Sequence, residues 1–403
     1  MSGQRRAAIG GIHEFPLRHA PGWSPLQIKA ASAVAALADA GLTLKDVDGS
    51  FDSGETGFTS GYLVPEYLGI TPKVIDQVNV GGASFELLAA RAAESIAAGH
   101  CQVALITYGS DGRSAGAAWG TGRPDSGGGA GGGVAGEVSP ARNMEAPFGV
   151  NTVGNYALLA TRHMHEYGTT REQLAEIAVV TRSHALRNPE AVKALTDIGI
   201  REVRELTIAE VAGAATVADP LGRYDCCLVT DGGGAVVIVS PEVARSLPKP
   251  PVWILGTGEA AGHGQHGDIT TTAGARSGPD AFGMAGVRPS EIDVAMIYDS
   301  FTITVLAILE DLGFCKKGEG GAYVQNGRLR FDHPGGPALN TDGGGLSSNH
   351  PGRRGIFLLI EAARQLRGES TSQVRDARLA IAHGNGGGLG IRHSAGSVIL
   401  GKD

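Results

Sequence analysis

Two patterns of apolar residues alternate along this chain: helical spacing and short unbroken runs. In residues 24–40, Leu26, Ile28, Ala31, Val34, Leu37 and Ala38 fall on one side of a predicted amphipathic helix. A second helix is predicted over 84–98, where Phe85, Leu88, Ala92 and Ile96 share a face and Gly99 supplies the stop. Residues 103–107 then form a continuous apolar run, as in a strand covered on both faces. The opening MSGQRRAAIGGIHEF reads as a first strand, because its arginines precede no long apolar core and no clear cleavage site. Segments 149–167 and 170–188 are predicted helical, and 225–238 reads as strand, turn, strand. Strands alternating with helices indicate a layered α/β protein.

The second half repeats the first in outline. Ser290–Asp293 leads into a strand at 294–297, as Thr43–Val47 leads into one at 49–51. A Gly-rich turn at 340–350, a helix at 355–366 and a strand at 379–382 mirror the turn, helix and strand near 80–107. An internal duplication accounts for this order, with halves at 1–247 and 248–403 divided near Pro248–Pro251. Residues 111–146, which include DSGGGAGGGVAGE, cannot build a core and read as a long excursion from the first half.

Composition narrows the function classes. Net charge is −7 with mixed signs and no basic block, which argues against a nucleic-acid partner. No window of ~18 uncharged apolar residues offers a membrane span. The four cysteines (Cys101, Cys226, Cys227 and Cys315) form no CxxC pair and read as reduced, buried thiols of a cytoplasmic protein. His163, His165 and His184 read as helix-surface or interface residues, and no metal site is expected.

Three polar spots sit at the ends of strands or turns, where α/β folds place their sites. They are Tyr298-Asp299-Ser300-Phe301, then Asn349-His350-Pro351-Gly352 after a triple glycine, and His383-Gly-Asn-Gly-Gly-Gly388 after a strand. Each alone is weak; together in one half-chain they suggest a site.

These stretches resemble the thiolase superfamily, most closely its sterol-carrier-type, lipid-transfer branch. ALNTDGGGLSSNHPG is similar to the family's Asn-x-x-Gly-Gly…His-Pro-x-Gly block. YDSF stands where thiolases carry Asn-Glu-Ala-Phe or, in the sterol-carrier branch, His-Asp-x-Phe. HGNGGG stands at their C-terminal Gly-rich loop, and DCCLVTDGGGAVVI also resembles this branch. The resemblance implies a thiolase fold: two duplicated βαβαβαββ-type halves in a layered αβαβα arrangement. It also implies a nucleophilic cysteine at the N-terminus of a buried helix, where backbone N–H groups stabilise a thiolate and an acyl oxyanion. Here that place falls at Gly82, in Val80-Gly81-Gly82-Ala83-Ser84, and no cysteine is near it. Ser84 reads as a helix N-cap before it reads as a nucleophile.

Without a thiolate, acyl-enzyme chemistry should fail, while the rest of the apparatus is kept. The resemblance therefore implies aldol or retro-aldol cleavage of a β-hydroxyacyl-CoA, as in steroid side-chain-cleaving aldolases. Tyr298, His350 and His383 are the expected catalytic residues. Gly82, Ser84, Asp299, Asn340, Ser348 and Gly386 are expected around the substrate and its oxyanion. Asp299 is expected to orient backbone or a histidine rather than act as acid. Related aldolases carry a second tyrosine where this chain has Ser348. The CoA thioester enters as substrate and no separate cofactor is implied. A homodimer and a small OB-fold, zinc-ribbon subunit that helps bind the CoA ester are implied as partners. A thiolase-fold acyltransferase and a non-catalytic acyl-CoA- or lipid-binding subunit stand as the alternatives.

Overall fold

A computed structural model of the chain describes residues 6–54, 60–117, 148–149, 151–263, 268–389 and 392–403. Most of the Gly-rich excursion expected at 111–146 thus lies outside the described residues. Twelve strands are described: β1 (Ala8–Glu14), β2 (Gly49–Asp52), β3 (Val74–Gln77), β4 (Val103–Ser110), β5 (Thr216–Ala218), β6 (Leu221–Gly222), β7 (Gly232–Val239), β8 (Val252–His263), β9 (Val294–Ile297), β10 (Ala338–Leu339), β11 (Leu379–Gly387) and β12 (Arg392–Gly401). Ten of them form one sheet in the order β10-β9-β11-β12-β8-β1-β7-β4-β2-β3, while β5 and β6 pair separately. Outward from the antiparallel β1–β8 pair, each half of the chain supplies five strands. In both arms the outer connections are parallel, β4-β2-β3 on one side and β11-β9-β10 on the other. We read these arms as the duplicated halves, 1–247 and 248–403.

Two helices, Ser84–Ala97 and Gly355–Arg367, lie in the inner layer with Val294, Met296 and Tyr298 from the end of β9, and Ala380 and Ala382 from β11. Ala295, Ile297 and Ile381 face the opposite layer, so strand alternation assigns each side chain to one layer or the other. The inner helices are apolar on nearly every side: Phe85, Leu88, Phe357 and Leu359 are all buried. Each such side chain contributes roughly 1.5–3 kcal/mol on leaving water. The first helix begins at Pro25 with a capping box of Ser24 and Gln27, one residue inside the predicted start. Among the described residues no helix is long and apolar enough to cross a membrane.

Several expectations change. The DCCLV stretch is not a strand. Its amides instead reach between neighbouring loops, Cys227 N to Ser300 O at 2.9 Å and Leu228 N to Gly345 O at 2.9 Å, with Cys226 bridged to Phe301. HGNGG is not a turn but the end of β11, paired with β12 through Gly387. His163 and His184 are buried, unlike exposed His165. His163 lies 2.8 Å from Thr169 Oγ1 and 3.1 Å from Glu310 Oε2; His184 Nδ1 lies 2.9 Å from Leu339 O. Cys101, Cys226 and Cys227 are buried, Cys315 is partly so, and all four are free.

Candidate active site

The Gly-rich turn before the Ser84–Ala97 helix meets the end of β9 head-on. A Cβ at Gly82 would fall 2.1 Å from Tyr298 Cε2, 2.4 Å from its Cζ and 2.4 Å from Asn385 O. No side chain fits there, because the phenol ring already fills the space. Gly81 has φ +79°, a conformation that glycine adopts without strain, and a Cβ there would lie 3.1 Å from Gly386 Cα. Gly386 is needed for the same close approach, since its Cβ would sit 1.8 Å from Val80 O.

Tyr298 is held by its neighbours in the sheet. Its amide donates to His383 O at 3.0 Å. The Asn340 side chain accepts from Ile297 N and donates to Ile297 O, both at 2.8 Å, and so prolongs the β9–β10 ladder. The phenol oxygen lies 3.0 Å from His350 Nε2 and 3.4 Å from Gly352 O. His350 is itself fixed through its backbone: its amide donates to Thr230 Oγ1 at 3.1 Å, and Thr230 Oγ1 donates to Asn349 Oδ1 at 2.8 Å. Burial raises the Tyr298 phenol well above its ordinary value. Burial, and then the nearby Arg354 cation, push His350 down to about 3. At neutral pH the pair is therefore a phenol and a neutral imidazole. When Nε2 carries no proton it accepts from the phenol, which leaves the phenol oxygen able to accept a proton from a third group.

The remaining predicted residues divide by position. Gly82, Tyr298 and His350 come together. The His383 ring does not join them: it points to the face of β11 opposite Tyr298, with Nδ1 2.8 Å from Ser397 Oγ, and only its carbonyl meets Tyr298. Because β11 continues as a strand, alternation turns residue 383 away. Ser84 caps nothing further along the helix. Its hydroxyl donates to Gly81 O at 2.7 Å and accepts from Val80 N at 3.0 Å, which staples the turn shut. Asp299 accepts from Gly345 N at 2.8 Å and Leu346 N at 3.2 Å, and pairs with Arg354 Nε at 3.0 Å, so it anchors backbone. Asn340 serves as the clamp just described. Ser348 is fully buried, with no hydrogen-bond partner for its hydroxyl among the described residues. It lies on the side of the Arg171–Ala185 helix: a Cβ at Gly343 would meet both Ala185 and Ser348, at 2.6 and 3.1 Å.

Behind the pair runs a buried ion network that the sequence reading missed. Arg354, fully enclosed, donates to both carboxylate oxygens of Asp342 at 2.7 Å and to Asn349 O at 3.1 Å. Burial pushes Asp299 up to about 6 against the opposing pull of Arg354. Further back, burial would raise Glu14, but Arg18 and Arg364 outweigh it and hold the carboxyl at about 2. Glu14 Oε1 also accepts from Asn349 Nδ2 at 3.3 Å. This network fixes the Asn349–Gly352 segment and hence the imidazole. Tyr156, from the Thr152–Tyr167 helix, was missed as well. Its hydroxyl accepts from Asn385 Nδ2 at 2.8 Å and donates to Gly387 O at 3.2 Å, with burial pushing it up to about 12.

Comparison with known proteins gives the family. Residues 256–402 match the family described as thiolase C-terminal domain-like. The chain is 34% identical to a steroid side-chain-cleaving aldolase of Thermomonospora curvata, over 98% of each protein. It is 30% identical to the 17-hydroxy-3-oxo-4-pregnene-20-carboxyl-CoA lyase of Mycobacterium tuberculosis, covering 93% of this chain and 94% of that one. Among solved structures, the Ltp2-ChsH2(DUF35) aldolase superposes with a TM-score of 0.84 at 33% identity, covering 99% of this chain and 98% of the other. The chain belongs to the thiolase superfamily, in its sterol-carrier-like aldolase branch.

Proposed function

We propose that this carbon–carbon lyase cleaves a β-hydroxyacyl-CoA bearing a bulky steroid-like or aryl group. The products are a ketone or aldehyde and a short acyl-CoA, and no acyl-enzyme forms. The observation that carries this reading is the Tyr298 ring seated on Gly82 with its hydroxyl on His350. The nucleophile's place is taken by a proton-transfer group. As the substrate's β-hydroxyl gives its proton to the phenol oxygen, the phenol's own proton passes to His350 Nε2. The Cα–Cβ bond then breaks, and its electron pair moves into an enolate of the acyl-CoA. That enolate forms beside the N-terminus of the Ser84–Ala97 helix, which has no side-chain cap and whose dipole favours negative charge. An acyltransferase using Ser84 is disfavoured, because that hydroxyl is spent on the turn.

The base in this scheme is neutral imidazole, which persists above its folded pKa of about 3. kcat is therefore expected to stay flat from pH 8 down to about pH 5. An acid limb near the ordinary histidine value of ~6.5 in the pH–kcat profile would contradict this role.

A homodimer and a small OB-fold, zinc-ribbon partner complete the proposal, with the whole acting in the cytoplasm. The similar aldolase structure includes a second, DUF35 component, which supports the small partner. β3 ends the sheet, and Tyr62, Tyr67 and Ile75 near it are exposed, which supports pairing between copies along that edge. The test is to incubate the chain, alone and with such a partner, with an aryl or steroid-like β-hydroxyacyl-CoA. Ketone or aldehyde and acyl-CoA should appear in equal amounts without added free CoA. A requirement for free CoA, or no cleavage even with the partner, would overturn the reading.

A further inference from the structure

Glu86 has no part in the chemistry above, yet it borders the same site. It lies four residues after Gly82, in the first turn of the inner helix. It is 1% exposed, and no other described residue gives either carboxyl oxygen a hydrogen bond; only its own backbone amide pulls on the carboxyl. Glycines make room for it: a Cβ at Gly384 would fall 2.0 Å from Glu86 Oε2, and one at Gly355 2.6 Å from the same atom. A Cβ at Gly396 would fall 2.7 Å from Glu86 Cβ. Gly384 is the neighbour of Tyr298 across the β9–β11 pairing, since Ile297 pairs with His383. It shares the inner face with Tyr298, as Ala382 does. The Cβ position of Gly355 is also 2.3 Å from Gly82 O. The carboxyl therefore sits in a space walled by Gly355 and Gly384, between the strand neighbour of Tyr298 and the Gly82 carbonyl.

A buried carboxyl with no partner on another residue is costly when charged and still unfavourable when neutral. An apolar side chain would avoid this cost, so the acid calls for a functional account. We infer that Glu86 is the second acid/base residue of the aldolase reaction, the group that delivers a proton to Cα of the acyl-CoA enolate. Burial raises its carboxyl well above the ordinary range, so it arrives at the enolate protonated. After Cα–Cβ cleavage the enolate electron pair takes the proton from the Glu86 carboxyl and forms a new Cα–H bond. Solvent then removes the His350 proton and reprotonates Glu86. One hydrogen has moved, in sum, from the β-oxygen to the α-carbon. This assignment rests on the aldolase reading and names the donor that Ser348 does not supply.

The test is exchange of the α-hydrogens of the short acyl-CoA product in D2O, followed by mass spectrometry with no ketone present. The wild type should wash deuterium into Cα slowly, through the minor carboxylate form of Glu86 that acts as base in the reverse step. Glu86→Gln, which matches the neutral acid in shape, should lose this exchange and the cleavage kcat by at least ~100-fold. Its Tm and acyl-CoA Kd should stay near wild type. Glu86→Met should also abolish exchange while raising Tm, which separates chemistry from folding. Tyr298→Phe should retain exchange. Undiminished exchange in Glu86→Gln, with cleavage intact in the wild type, overturns the assignment and leaves the aldolase reading standing. A wild type that cleaves no β-hydroxyacyl-CoA overturns both.

Discussion

Tyr298→Phe should lower kcat for β-hydroxyacyl-CoA cleavage by roughly 10²–10⁴, the span typical of a lost general acid–base group. The ring that fills the space over Gly82 is kept, so the packing of the inner layer should not change. KM should stay within about threefold, because the variant loses an interaction made mainly in the transition state. Stability should move by only about 1 kcal/mol, since one hydrogen bond to His350 disappears with the hydroxyl. Steady-state kinetics and a thermal melt on the same preparation check both statements. Cleavage within tenfold of wild type would remove Tyr298 from the chemistry and leave it a buried aromatic.

Gly82→Ala should be nearly as damaging, for a steric reason. The added methyl falls 2.1 Å from Tyr298 Cε2 and 2.4 Å from Asn385 O, well inside contact distance. Either the ring or the turn must move, and overpacking of this kind costs about 1–3 kcal/mol or more. A ring displaced by even 1 Å also loses its geometry with His350, so activity should fall by roughly 100-fold. The two positions should be coupled. In a Tyr298→Ala background the methyl meets open space where the ring was, and only the Asn385 carbonyl still opposes it. A double-mutant cycle read by chemical denaturation should therefore give a coupling of about 1 kcal/mol or more between the sites. Additive effects would mean that the glycine and the tyrosine are independent features. Coupling would mean that a nucleophile at residue 82 and a phenol at residue 298 exclude each other in this fold.

The frame of the molecule was legible because its strong signals are local. The existence of the first helix, a Gly99 stop and an apolar run at 103–107 each follow from a few neighbouring residues. The helix's predicted face does not hold: Ile28 and Leu37 are buried, Val34 and Ala38 are exposed, and Lys29, Ser32, Ala33 and Ala36 turn inward instead. The pairing of Gly82 with Tyr298 was visible only in part. The missing cysteine and the added tyrosine could be read, but not that one ring fills the other's space. His383 shows a different limit. A histidine followed by a run of glycines reads as a loop, yet pairing with β12 extends the strand to Gly387 and turns the ring to the other face. Arg354, Asp342 and Thr230 gave no signal at all, since their work is to meet residues far away in sequence. Arg354 reads as one of two arginines before a helix, and only burial with two carboxylates shows it as the cation behind the site. Glu86 sits on the inward side of a helix predicted to be amphipathic. An acid at an inward position one turn beyond a glycine is a signal that sequence could have offered.

The central claim is that the carbon–carbon bond breaks through a free enolate, with no bond between substrate and protein. Intact-protein mass spectrometry on samples acid-quenched during turnover tests it most directly. The chain should be found only at its unmodified mass, at every time point, while ketone and acyl-CoA accumulate. A transient population heavier by the mass of the acyl group would contradict the account.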